Sequence, residues 1–221
     1  MDRRSFLKHT GAVAGAALLP TTLASRAMAA DMRPTVRDIP AVPPTLPPGA
    51  LKASLAPLLD RARAALDANG AAVAQRDRVA LADFSAPSSQ YRFHIVDLQA
   101  GRAMSYLVAH GLGSDPDHSG FLQSFSNEPN SLATSQGAYV SGEVYDGVHG
   151  AAMRLVGLDP TNNNADMRAI VVHSAPYVSE DHVATWGKVG RSNGCFVVAP
   201  HLVTQVLGLL GPGRLLYAAK L

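Results

Sequence analysis

Apolar positions in this chain recur with two different periods. Leu51, Leu55, Leu58, Leu59, Ala62, Ala65 and Leu66 fall at helical spacing and are followed by Asn69-Gly70. This predicts an amphipathic helix over 51–70 with Pro57 near its first turn, where a missing amide is harmless. From Val79 onward the period becomes that of strands. Val79 to Phe84, Tyr91 to Leu98, Ala103 to His110, Gly137 to Tyr145, Met153 to Val156, Ala169 to His173 and Cys195 to Val198 read as strands. Gln99-Ala100-Gly101 turns the second into the third. Clusters such as Asp115-Pro116-Asp117 and Asp159-Pro160-Thr161-Asn162-Asn163-Asn164 punctuate the rest. A second helix is expected from His201 to Leu210, stopped by Gly211-Pro212-Gly213, before a last strand from Arg214 to Ala219. The fold class is mainly β with a few helices, a compact sandwich or partial barrel rather than a doubly wound sheet.

Ahead of these elements the pattern fails. Pro34, Pro40, Pro43, Pro44, Pro47 and Pro48 make residues 30–50 an extended linker with little to pack. Residues 1–29 have the three regions of an export signal: Arg3-Arg4 with Phe6-Leu7, a weakly apolar stretch from Gly11 to Leu23, and Ala27-Met28-Ala29. The stretch is shorter than the roughly 20 residues a membrane span needs. The paired arginines resemble a twin-arginine signal, which exports proteins already folded and implies a periplasmic or other extracytoplasmic location. Losing Arg3, Arg4, Lys8 and Arg26 together with Asp2 takes the formal charge from +2 to −1. The mature chain therefore has no charge excess suited to nucleic acid or an anionic membrane. About 190 residues remain, enough for one domain with a real core.

Cys195 is the only cysteine, so in an oxidising compartment it has no disulfide partner within the chain. A thiol attacks a carbonyl as the thiolate and needs a base, and histidine suits both ends of that transfer. His173 closes a strand-like run, and Cys195 begins one directly after Gly194, which permits a tight turn. Amides of Asn193, Gly194 and Cys195 are candidates to meet a developing oxyanion. A catalytic pair would bring the sulfur within about 4 Å of the ring. Taken singly, Cys195 also reads as a small buried hydrophobe and His173 as a satisfied strand-end histidine.

Gly190-Arg191-Ser192-Asn193-Gly194-Cys195, preceded by His173, resembles the active-site signature of the L,D-transpeptidase (YkuD-type) family, and most closely its murein L,D-transpeptidase catalytic domain subgroup. Further similar pieces are His110-Gly111-Leu112-Gly113-Ser114, Tyr145-Asp146-Gly147-Val148-His149-Gly150 and Arg168-Ala169-Ile170-Val171-Val172-His173. The resemblance implies a catalytic domain over 76–221 with a transpeptidase-like fold, acting on peptidoglycan stem peptides without a cofactor. Cys195 would be the acylated nucleophile and His173 its base, with the oxyanion held near Asn193 and Gly194. Typical members carry histidine where Asn193 stands and arginine where Val197 stands. A substrate carboxylate must then be gripped elsewhere, and Arg191 and Arg168 are the candidates because guanidinium forks hold carboxylates bidentately. Ser192 either orients the pair or caps its turn. His110 and His149 would line the cleft or brace its walls. His94, His118, His182 and His201 read as solvent or loop residues, and Trp186 and Tyr177 as a lid or simple loop packing. No His-x-x-Glu-His or close pair indicates a metal.

The reaction so implied releases a terminal D-amino acid and passes the thioester to an amine. Alternatives are an L,D-carboxypeptidase or amidohydrolase with the same pair, and a wall-binding module without turnover. A papain-like protease is disfavoured because cysteine follows histidine here.

Overall fold

Short runs of small and branched apolar residues pair into one mixed sheet, strands being favoured wherever such side chains fit a half-buried pleated surface. The computed structural model describes residues 53–221 and the backbone of Thr45–Leu46. The export signal, Leu51 and the linker apart from that two-residue piece lie outside the described residues. The strands are β1 (Thr45–Leu46), β2 (Arg78–Asp83), β3 (Phe93–Asp97), β4 (Arg102–Tyr106), β5 (Gly137–Gly147), β6 (Gly150–Gly157), β7 (Val171–Ser174), β8 (Phe196–Val198) and β9 (Leu215–Ala219). Among the described residues their order is β1-β4-β3-β2-β9-β5-β6-β7-β8. Pairing is antiparallel except for β2 with β9 and β7 with β8.

One expectation is corrected within the linker: Thr45 and Leu46 pair with Met104 and Ala103, adding a strand to the sheet edge. A second concerns β4, which ends at Tyr106 rather than His110. Residues 107–111 leave β3 and cross to the opposite edge, where the Ala109 amide donates to Val197 O at 2.9 Å and Gly111 bridges Ser192. These isolated bridges link the sheet's two ends without a continuous ladder, so the architecture is a partial barrel and not a closed one.

The predicted helix appears as α1 (Ala56–Ala68), entered by a tight turn at Ala53–Leu55 with Pro57 in its first turn. Leu58, Leu59, Ala62 and Leu66 pack against Val79, Leu81, Ala138 and Leu215 of the sheet. The other face is filled by Phe84, Tyr106, Tyr139, Met153 and Phe196 with α3 (Val203–Leu210) laid across them. Burying both faces explains why β2 and β9 read as nearly unbroken apolar runs. One helix escaped the sequence reading. In α2 (Glu180–Trp186), Ser179 Oγ accepts the His182 amide at 3.0 Å, Glu180 and Asp181 occupy the first turn, and Gly187 ends it at φ +70°. Those are ordinary start and stop signals, hidden by the near absence of an apolar face.

Candidate active site

β7 and β8 run parallel, with Val172 opposite Phe196 and His173 opposite Val197. Side chains alternate across a sheet, so Val172, Phe196 and Val198 enter the main core while Val197 faces a smaller cluster with Leu107, Ala109 and Val178. Cys195 lies two residues before Val197 and packs on that same cluster, hence on the face that carries His173. The register thus sets thiol and imidazole on one side of neighbouring strands.

His173 is 4% exposed, and its Nδ1 lies 3.0 Å from Ser174 O. A carbonyl only accepts, so Nδ1 carries the proton and Nε2 keeps the basic lone pair. Burial lowers its proton affinity, the Ser174 carbonyl opposes this, and His149 lowers it further. The His149 ring stacks on it with centroids 4.5 Å apart and 17° between planes. His149 is exposed in the Gly147–Gly150 turn, where Gly150 takes φ +77°.

The half-buried Cys195 donates its thiol to Ala169 O at 3.5 Å. Burial pushes the thiol up, while the Val171 amide and the Arg168 cation pull it down. The hydrogen bonds of sulfur and imidazole run to Ala169 O and Ser174 O and not to each other. A protonated, desolvated thiol satisfies itself on the nearest carbonyl, so the resting pair is neutral thiol and neutral ring.

Gly194 adopts φ +121°, and a Cβ there would stand 2.8 Å from Ala133 O. Ser192 Oγ accepts the Gly194 amide at 3.1 Å and donates to Cys195 O at 2.7 Å. Ser192 is therefore a turn cap. Its own amide donates to His110 O at 2.9 Å, and its carbonyl accepts from Leu112 at 2.7 Å. With the Gly194 amide spent, Asn193 and Cys195 hold the turn's amides without a hydrogen-bond partner among the described residues.

Arg168, one of the two candidates to grip a substrate carboxylate, has both terminal nitrogens bonded within the chain. Nη1 donates to Ser126 O at 2.8 Å and Ser135 Oγ at 2.6 Å, and Nη2 to Ser131 Oγ at 3.0 Å and Ala133 O at 2.5 Å. It ties the 126–135 loop beside the Gly194 turn. Arg191 is anchored only through Nη1, to the carbonyls of Asp115 and Pro116. Its Nε and Nη2 make no hydrogen bond among the described residues. Next to the turn, an open groove of about 230 Å³ is lined by Asn130, Leu132, Met167, Ala169 and exposed Asn193. Asn130, Leu132 and Ala169 all have left-handed backbone, φ +63°, +54° and +51°. Such strain, of order 1–3 kcal/mol each, tends to gather at functional sites.

His110 is not a cleft residue: its ring is 1% exposed. Nδ1 accepts from Arg92 Nη2 at 2.8 Å, so Nε2 carries the proton facing Asp115 Oδ2 at 3.3 Å. Burial, with Arg92 adding to it, lowers His110 to about 4. Asp115 resists the upward push of burial and sits near 2 because Ser119 and Gly120 donate to it. This buried Arg92-His110-Asp115 chain braces the wall whose backbone grips Ser192. Arg92, Asp115 and Thr134 were missed in the sequence, where each reads as an ordinary polar position. His94 is also buried, with Nδ1 2.8 Å from Ser105 Oγ, and His118 Nε2 donates to Val189 O at 3.0 Å. Tyr177 packs on Gly190, whereas Trp186 is 65% exposed. No group of three metal-ligating side chains occurs among the described residues. Nor is any helix among them long and apolar enough to cross a membrane.

Comparison with known proteins finds a family model over most of the chain. Residues 54–219 match the model of the L,D-transpeptidase catalytic domain, and residues 1–20 match the signal sequence of the twin-arginine translocation pathway. No curated protein matches the chain. Solved structures similar to it include an L,D-transpeptidase from Mycobacterium smegmatis, 13% identical, covering 65% of this chain and 59% of that one at TM-score 0.41. L,D-transpeptidase 3 from Mycobacterium tuberculosis is 14% identical, with coverage of 65% and 61% and TM-score 0.37. The L,D-transpeptidase from Xylanimonas cellulosilytica is 14% identical, with coverage of 71% and 68% and TM-score 0.40. The chain thus spans about three fifths of the length of the Mycobacterium structures.

Proposed function

Because the chain belongs to the L,D-transpeptidase catalytic domain family and carries a twin-arginine signal for export from the cytoplasm, we propose that it is a cysteine acyltransferase of peptidoglycan stem peptides. The observation that supports this most is the register of β7 and β8, with His173 opposite Val197 and Cys195, just before β8, packed on the same apolar cluster as Val197. In the proposed reaction the Cys195 side chain turns from Ala169 O toward the ring, and His173 Nε2 takes its proton. The thiolate attacks the carbonyl of the third stem residue, and the oxyanion forms against the unpartnered amides of Asn193 and Cys195. Collapse breaks the amide bond, and the terminal D-amino acid leaves with the proton held by His173. An amine of a second stem then attacks the thioester, restoring the thiol and leaving a cross-link.

Val197 stands where an arginine is typical, and Arg168 is committed to its loop. Arg191, with Nε and Nη2 unoccupied, is the better candidate to hold a stem carboxylate.

Incubating the mature protein with purified tetrapeptide stems and following mass tests the reading. The expected result is release of a D-amino acid, a covalent adduct on Cys195 and a cross-linked dimer. Normal turnover by Cys195→Ala would remove the nucleophile assignment, and trimmed monomer without dimer would make water the acceptor.

A further inference from the structure

We infer that Thr134 is a positioning residue that aims the oxyanion-binding amide of Cys195, an inference resting on the reading of Cys195 as the acylated nucleophile. Thr134 is fully buried, and its hydroxyl has two partners. Oγ1 accepts the Gly111 amide at 2.9 Å and donates to Gly194 O at 3.1 Å. Its own amide donates to Ser114 Oγ at 3.0 Å, and its carbonyl accepts from Ser126 at 3.1 Å. The hydroxyl is therefore held on both sides and has one acceptor left to choose, the Gly194 carbonyl.

That carbonyl belongs to the same peptide unit as the Cys195 N–H. A trans peptide is planar with C=O and N–H pointing in opposite directions, and no cis bond occurs among the described residues. Pinning Gly194 O toward Thr134 directs the Cys195 amide the other way, and that amide has no partner among the described residues. Gly194 needs such a restraint more than most residues. At φ +121° it sits where its backbone has wide freedom, and Ser192 holds only its amide side. Two hydroxyls thus clamp the turn: Ser192 uses up the amide of Gly194, and Thr134 orients the amide of Cys195.

The test separates oxyanion chemistry from thiol reactivity and needs no stem peptide. With p-nitrophenyl acetate, the Cys195 sulfur bonds to the acetyl carbon, the ester C–O bond breaks, p-nitrophenolate leaves and the thiol proton passes to His173. With iodoacetamide, sulfur displaces iodide and no oxyanion forms. Thr134→Val should slow acylation by about tenfold or more, below the 10²–10³ of losing an oxyanion donor outright, and leave alkylation within about twofold. Thr134→Ser should restore acylation. Equal losses in both reactions, or no loss in acylation, would overturn the assignment. Should Thr134→Val not fold, the wild-type protein decides by amide NMR of its thiohemiacetal with acetaldehyde. The Cys195 proton should move downfield while Gly194 stays put, and an unmoved Cys195 proton overturns the proposal. If Thr134→Val slows acylation but not alkylation while the wild-type protein ignores stem peptides, the substrate reading falls and the Thr134 inference stands.

Discussion

The ring of His149 lies flat on that of His173, 4.5 Å between centroids, so an exposed hairpin tip covers the buried imidazole. Stacking keeps water from one face of the His173 ring, and a charge on His149 disfavours a second charge beneath it. Both effects lower the proton affinity of His173. Replacing His149 with alanine should therefore raise it, moving the acidic limb of the kcat/KM profile to higher pH. The wild-type limb should lie below the ordinary histidine value of about 6.5. An unchanged limb in His149→Ala would separate the stack from the chemistry.

Arg168 gathers four acceptors of the 126–135 loop beside the Gly194 turn. Arg168→Lys keeps the charge but not the fork. It should cost about 3 kcal/mol in denaturant unfolding, hydrogen bonds to a charged group being worth about 1.5–3 kcal/mol each and not additive. Arg168→Met should in addition raise the pH at which iodoacetamide alkylates Cys195, since the cation is one of two groups that favour the thiolate. Equal alkylation profiles for wild type and Arg168→Met would remove that electrostatic role.

Gly194→Ala places a methyl 2.8 Å from Ala133 O at φ +121°. Strain of this kind costs of order 1–3 kcal/mol, and the turn is expected to shift to relieve it. Acylation of Cys195 should fall by more than tenfold, in line with loss of an aligned oxyanion donor, while the melting temperature drops only modestly. Wild-type burst amplitude and rate in the variant would show that this backbone geometry is dispensable.

His110 gives the fold an acid sensitivity. Its folded value of about 4 lies below the unfolded value of about 6.5. As pH falls through 6.5 the unfolded chain gains a proton that the folded chain refuses, so stability declines from about pH 6.5 down to about 4 and then levels for this group. The loss is on the order of 3 kcal/mol at most, and His173 adds to it with the same sign. Chemical denaturation across this window should show the decline, and a flat profile would mean that His110 is not held neutral.

The sheet was largely readable in advance because strand formation follows local alternation. β2, β3, β5 and β9 appear within a residue or two of the stretches their side chains predict. The departures are places where distant partners took over. Thr45–Leu46 is a strand only because β4 offers an edge, and residues 107–110 leave the β3 side because β8 offers another. α2 is held by a serine cap and a glycine stop rather than by an apolar stripe.

For the site, the candidate residues were legible and their geometry was not. A single thiol after glycine and a histidine closing an apolar run are covalent facts of the chain, and they suffice to propose a nucleophile and a base. Which way a long or polar side chain turns depends on acceptors far away in the chain, and local pattern carries no record of those. Arg168 spends its fork on a loop more than thirty residues upstream, His110 turns inward between Arg92 and Asp115, and Thr134 reaches the Gly194 carbonyl. Burial settles each case, since a polar group removed from water must find its partner wherever the packed chain provides one.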